Sequence, residues 1–192
     1  MVVSMPKLLA TLLLITLSQA GCNVESASEG AAAAPEDKST TLITQAKAVH
    51  ASALTIDAHA DIEIPGKPSM YVGADGLSRV SPAKMHAGGL DAVVMSLAVG
   101  PMPRNPEGYA AAKALAQTKL AAVNALANDP VNNAIIVQTT EELQSAQTEG
   151  KAALILGFQN ALILGTNTTG IDELYDSGVR VFALTHMGHN NF

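Results

Sequence analysis

Three short clusters carry the residue types that could do chemistry. The first is His59-Ala60-Asp61. In an extended strand, residues two apart point the same way, so an imidazole nitrogen and a carboxylate oxygen can reach one ion. Both suit zinc or a similar divalent cation. A core histidine bonded to a nearby aspartate would use the same residues. The second cluster is Gly157-Phe158-Gln159-Asn160. Gln159 offers a neutral carboxamide oxygen, a weaker ligand than a carboxylate, and ordinary loop hydrogen bonding is an almost equal reading. The third is Thr185-His186-Met187-Gly188-His189-Asn190-Asn191. Two histidines so close together suggest ligand or proton-transfer work, with His186 ahead of His189. His50 and His86 fall on expected helices and read as structural or surface residues. Cys22 is the single cysteine, which excludes an intrachain disulfide framework and a cysteine-based zinc knuckle. Any metal must therefore be held by His, Asp, Glu and amide groups. There is no G-x-S-x-G elbow, no H-E-x-x-H and no phosphate loop.

The elements that would position these clusters alternate between helix and strand. Leu42, Ile43, Ala46, Val49 and Ala53 recur at helical spacing and predict a short amphipathic helix. Leu54 to Ile56 reads as a buried strand ending in the His59-Asp61 pair. A loop rich in Pro and Gly follows. Ser81-Pro82 opens a helix that ends at Gly88-Gly89. Leu90 to Val99 reads as a strand buried on both faces. An Ala-rich helix is expected over 109–127, a strand over 134–137, and a helix opened by Thr139 and Glu142 at capping-box spacing. A strand over 152–157, a helix over 171–176 and a strand over 179–184 complete the pattern. Continuous apolar strands alternating with helices indicate a parallel sheet covered by helices. A doubly wound sheet and the first half of a (β/α)8 barrel both satisfy it. In a barrel, the polar residues at the strand C-termini converge on one mouth.

The ends and the composition narrow the class. Lys7, an apolar run over 8–17 and small residues at Ser18 and Ala20 form a secretory signal, too short to span a bilayer comfortably. Two cuts compete. One follows Ala20 and leaves a soluble periplasmic protein. The other precedes Cys22, whose thiol would then carry a lipid anchoring the protein to the membrane. Residues 1–21 are thus expected to be a signal peptide, 22–40 a flexible tether, and 41–192 the folded part. The chain of 192 residues carries a net charge of −6 and only 3% aromatics. With no basic stripe and no stacking platform, nucleic acid is not an expected partner.

Four segments taken together resemble a known family. Leu54–Asp61 (LTIDAHAD), Gly88–Val99 (GGLDAVVMSLAV), Gly150–Asn160 (GKAALILGFQN) and Gly178–Phe192 (GVRVFALTHMGHNNF) are similar, in order and spacing, to the membrane (renal-type) dipeptidases, peptidase family M19. The resemblance covers roughly residues 50–192. It implies an α/β fold, the N-terminal part of a (β/α)8 TIM-type barrel of the metal-dependent amidohydrolase kind. It also implies a two-zinc centre that hydrolyses dipeptides through a metal-activated water. By the same resemblance, His59 and Asp61 match the first two zinc ligands. Gln159 stands where a glutamate bridges both ions. His186 matches a histidine that contacts substrate and stabilises the tetrahedral intermediate.

Two departures qualify the expectation. Gln159 removes the negative charge of a bridging carboxylate, so the centre is expected to hold one or two zinc ions rather than surely two. The family's later zinc histidines, substrate-binding arginine and catalytic aspartate are absent. A complete barrel takes about 250 residues, so the chain is expected to be a truncated barrel, inactive by itself. Its open sheet edges are expected to drive aggregation or homodimerisation. Two further readings remain open: a related barrel hydrolase acting on another small amide or a lactone, and a non-catalytic periplasmic binding lipoprotein.

Overall fold

The computed structural model describes residues 38–192. The expected signal segment, Cys22 and the tether up to residue 37 lie outside the described residues. The last three residues of the expected tether, 38–40, are already helical. They open helix α1 (Lys38–Ser52), which no Pro or Gly interrupts. Its periodicity predicted an apolar stripe facing a core, but none of its residues is buried. Leu42 and Val49 are 64% and 67% exposed. Helical spacing and good helix formers suffice to form the helix, but the sheet offers this stripe no surface to cover.

Strand β1 (Ile56–Asp61) begins where the expected strand was to end, so His59 and Asp61 lie within it rather than beyond it. The cause is an anchor at Thr55. Its main-chain N–H and its hydroxyl both donate to Asp91 Oδ2, at 2.7 and 2.8 Å. That pins Thr55 to the start of the next strand, β2 (Ala92–Ser96), and pairing starts one residue later, Ile56 opposite Ala92. Between them, α2 (Pro82–Gly88) has Pro at its first position, where the missing N–H is harmless. It ends on Gly89 in the left-handed conformation, φ 67°. All five residues of β2 are buried.

Helix α3 (Pro106–Asn128) is capped by Asn105, whose side-chain oxygen accepts from the Gly108 N–H at 2.8 Å. Strand β3 (Ala134–Val137) leads into α4 (Thr140–Thr148). Thr139 caps α4 through the Glu142 N–H, and the Glu142 carboxylate accepts from Gln138 N rather than from Thr139. Strand β4 (Ala152–Gln159) runs two residues past its expected end and carries Gln159 inside it. Helix α5 (Gly170–Asp176) and β5 (Val181–Ala183) follow.

All pairings are parallel, in the order β1-β2-β4-β3, with β5 also on β4. β3 pairs Ala152–Ile155 and β5 pairs Gly157–Gln159, so these two strands follow one another along the same edge of β4. One sheet face presents Val93, Met95 and Leu97 of β2 and its extension, with Leu154, Leu156 and Phe158 of β4. Met85 of α2 and Ala112, Ala116 and Val123 of α3 join that core. The alanines let α3 approach the sheet closely. On the opposite face, Ala92, Ala153 and Ile155 meet Leu143 and Ala146 of α4. The result is a parallel α/β half-barrel whose strand C-termini share one end.

Candidate functional site

Because every strand runs the same way, Asp61, Ser96, Gln159 and Ala183 mark one end of the sheet. The first strand reaches it through an irregularity. Asp57 lies opposite Val93 and Ala60 opposite Met95, so three steps on β1 match two on β2. In a uniform strand Asp57 and Asp61 would share a face. The extra residue breaks that alternation: Asp57 pairs with the Val93 position and Asp61 with Ser96. Asp57 Oδ1 accepts from the His59 N–H at 3.0 Å, which holds the bulge together. His59 itself is exposed.

Asp61 is the unusual member. Its Oδ1 is buried and has no hydrogen-bond partner among the described residues. The Lys119 ammonium of α3 lies 3.6 Å from it; the Lys119 side chain is 13% exposed and that of Asp61 24%. Glu63 Oε1 and the Ser96 hydroxyl are likewise buried without partners. Asp61, Glu63, Lys67, Tyr71 and Lys119 line an open cleft of about 190 Å³. Sequence reasoning missed Lys119 and Glu63. A signal for Lys119 exists in the sequence, since Ala112, Ala116 and Val123 are the buried stripe of α3. Lys119 falls on that stripe, three residues after Ala116 and four before Val123, where a charge needs a partner.

Gln159 is half-buried at the end of β4, opposite Ala183. Asn160, which follows, organises the neighbourhood and was also missed as such. It is 1% exposed and sits at φ 78°, a region non-glycine residues seldom occupy. Its Nδ2 donates to Val99 O at 3.2 Å and its Oδ1 accepts from Leu162 N at 3.1 Å. Asn190 Nδ2 donates to Leu184 O at 2.8 Å and more weakly to Asn160 Oδ1 at 3.4 Å. Asn191 Nδ2 donates to Tyr109 Oη and Gly165 O at 2.8 and 2.7 Å. The loop carrying His186 and His189 is therefore tied down at its far end. Gly188 (φ 94°) packs so closely on Pro101 that a Cβ there would come within 2.9 Å of the ring. His186 and His189 are both exposed, as are His50 and His86.

The donors fit a divalent ion only in part. Asp61 presents a buried oxygen without a hydrogen bond, and His59 lies two residues away on the same strand. Among the described residues no group of three His, Cys, Asp or Glu converges closely enough to hold a metal. Gln159 brings no charge. Among the described residues, His59 and Asp61 are thus the donors this chain brings to the C-terminal end of β1.

The family model for membrane dipeptidase (peptidase family M19) matches residues 43–192. No curated protein sequence matches the chain. Solved structures similar in fold include the following three. The probable dipeptidase PvdM from Pseudomonas aeruginosa is 21% identical with a TM-score of 0.68, over 80% of this chain and 40% of that one. An amidohydrolase from Pseudomonas aeruginosa is 20% identical with a TM-score of 0.55, over 75% and 37%. The dipeptidase AC, a metallo peptidase of family M19, is 16% identical with a TM-score of 0.56, over 67% and 41%. The chain thus spans about 40% of the length of the first of these structures.

Proposed function

This chain belongs to the membrane dipeptidase family, peptidase family M19, and on that premise we propose that it supplies the β1–β5 part of a zinc-dependent hydrolase that cleaves dipeptides. The observation that carries the reading is Asp61. A buried carboxylate oxygen without a hydrogen bond is costly, and here it stands at the C-terminal end of the first strand, where barrel enzymes keep their chemistry. His59 and Asp61 would hold the ion, with Gln159 as a neutral neighbour. A zinc ion bound there would supply Lewis acidity and a water acidic enough to attack at neutral pH.

The protein's own residues supply the rest. His186, on a loop anchored through Asn190 and Asn191, would donate to the oxygen that gains negative charge as the amide is attacked. Asn160 fixes the junction between β4 and that loop, so His186 and Gln159 keep their spacing. Because the chain spans a minority of the length of the solved relatives, the activity is proposed for a protein of their length. This chain alone is proposed to be inactive.

The chain is further proposed to be exported to the periplasm. The signal-like start supports this, with either soluble release or a lipid on Cys22. No helix among the described residues is long and apolar enough to cross a membrane. Palmitate labelling that disappears in Cys22→Ala would establish the anchored form.

Gln159 favours a second reading within the same fold, in which one ion acts on another small amide or a lactone. The test is metal analysis followed by a substrate panel on a protein of the relatives' length. Zinc-dependent turnover of dipeptides supports the first reading, and turnover of lactones or other amides alone supports the second. Absence of stoichiometric zinc rejects both and leaves a periplasmic binding lipoprotein.

A further inference from the structure

Ser81 stands directly before α2, where a serine hydroxyl ordinarily accepts from a main-chain N–H of the first turn. Here the side chain makes no such capping hydrogen bond. Ser81 is 7% exposed, and its Oγ is buried without a partner among the described residues. Glu63, two residues past the end of β1, has the same deficit at Oε1. Both residues line one small cavity of about 30 Å³, walled by Met95 of β2 and by Val123 and Leu126 of α3. Ser78 lines it too. Its Oγ accepts from the Val80 N–H at 3.3 Å and keeps a hydrogen and a second lone pair to offer. Two buried oxygens left unpaired in the same cavity are costly, and native structures seldom leave such groups without a partner.

We infer that this cavity is a binding site for a single ordered water, which donates to Glu63 Oε1 and accepts from the Ser81 hydroxyl. A buried water needs roughly 10–15 Å³ and two to four polar partners. Glu63 and Ser81 supply two, and Ser78 supplies a third. The lining disfavours the other small occupants. A divalent cation such as calcium takes about six to eight oxygens, whereas one carboxylate and two hydroxyls line this cavity and its remaining side chains are apolar. An apolar occupant would leave both oxygens unpaired. The water joins the chain leaving β1 to the start of α2. That chain is already held at Ile62, whose N–H donates to Ser96 O at 3.3 Å, and the water extends the hold by one residue. Glu63 also lines the open cleft beside Asp61, so the water keeps Oε1 turned inward, away from that cleft. The site is separate from the proposed chemistry and stands or falls without it.

The direct test is a crystal structure of the wild-type full chain, sharp enough to show ordered water. The expected result is one isolated peak about 2.5–3.0 Å from both Glu63 Oε1 and Ser81 Oγ. A second measurement needs neither crystals nor a variant that might fail to crystallise. Oxygen-17 relaxation dispersion of the solvent counts long-lived buried waters, and it is run on wild type and on Ser81→Val, with the fold checked by circular dichroism. Valine removes the hydroxyl and fills the space with methyl groups, so the variant should hold one long-lived water fewer than wild type. Three crystallographic results overturn the inference: a cavity without density, Ser81 Oγ bonded directly to Glu63 Oε1, or a peak ringed by five or more oxygens as a cation would be. Equal water counts in wild type and a folded Ser81→Val overturn it as well.

Discussion

At the residue scale, Asn160 makes the sharpest demand on its own identity. Asn160→Ala leaves Val99 O and Leu162 N without their buried partner and puts a Cβ-bearing residue with no compensating hydrogen bond at φ 78°. A loss of about 3 kcal/mol is expected. Asn160→Gly loses the same hydrogen bonds but relieves the backbone, so it should cost roughly half as much. Urea unfolding of the two variants checks the order, and an alanine variant as stable as the glycine one would refute the strain argument. A second prediction concerns Asp75. The hydrogen bond from Lys84, and then the Leu77 N–H, hold its carboxyl below the ordinary range, with the ion pair at 2.9 Å. A depressed folded-state value means the stabilisation is present above the unfolded-state value and is lost as pH falls through the folded-state one. The stability difference between wild type and Asp75→Asn should therefore shrink on acidification, and also in high salt because the pair is exposed. A difference independent of pH would contradict it. At this scale the sequence displayed His59, Asp61, Gln159 and His186 as types in a pattern. It did not display that a bulge separates Asp57 from Asp61, or that Asp61 faces an ammonium, because both depend on a second strand and on a helix distant in sequence.

At the element scale, α3 shows how a helix start can be over-determined. Asn105 caps it, Pro106 opens it, and Gly108 is buried with its Cα against the preceding loop. A Cβ at Gly108 would lie 1.9 Å from Pro103 O, so Gly108→Ala cannot be accommodated without moving backbone. It is expected to cost about 2 kcal/mol or more, against about 1 kcal/mol for Asn105→Ala. Thermal melts rank the two, and a harmless Gly108→Ala would mean that the 103–108 turn is looser than the structure describes. The existence and type of the elements were legible because apolar periodicity and Gly/Pro punctuation are local. Their ends were less so. β1 slid toward its C-terminus because Thr55 is bonded to Asp91, and β4 lengthened because β5 pairs its last residues. α1 was legible as a helix while its exposed stripe was not, since burial is decided by what lies opposite.

At the scale of the whole molecule, the sheet leaves apolar residues uncovered at its margins. Ile56 on β1 and Val181 on β5 are 46% and 39% exposed, as is Leu184 at 46%. Unpaired strand edges with exposed apolar side chains invite pairing with another copy. This chain is therefore expected to self-associate at micromolar concentration, which light scattering after size exclusion would detect. A monomer that unfolds cooperatively would count against the view of it as an uncovered half-barrel. The alternation of apolar strands with helices determined the α/β class and the parallel sense, because continuous hydrophobic strands require cover on both faces and parallel strands require helical crossovers. The sequence by itself also determined that the polar clusters gather at one end of the sheet, since they follow or close the strands. Only the tertiary structure decided that β3 and β5 share one edge of β4, that Asn160 locks the histidine loop, and that Lys119 stands beside Asp61. Each of these depends on residues far apart in the chain meeting at a few ångströms, a distance that no local pattern of spacing encodes.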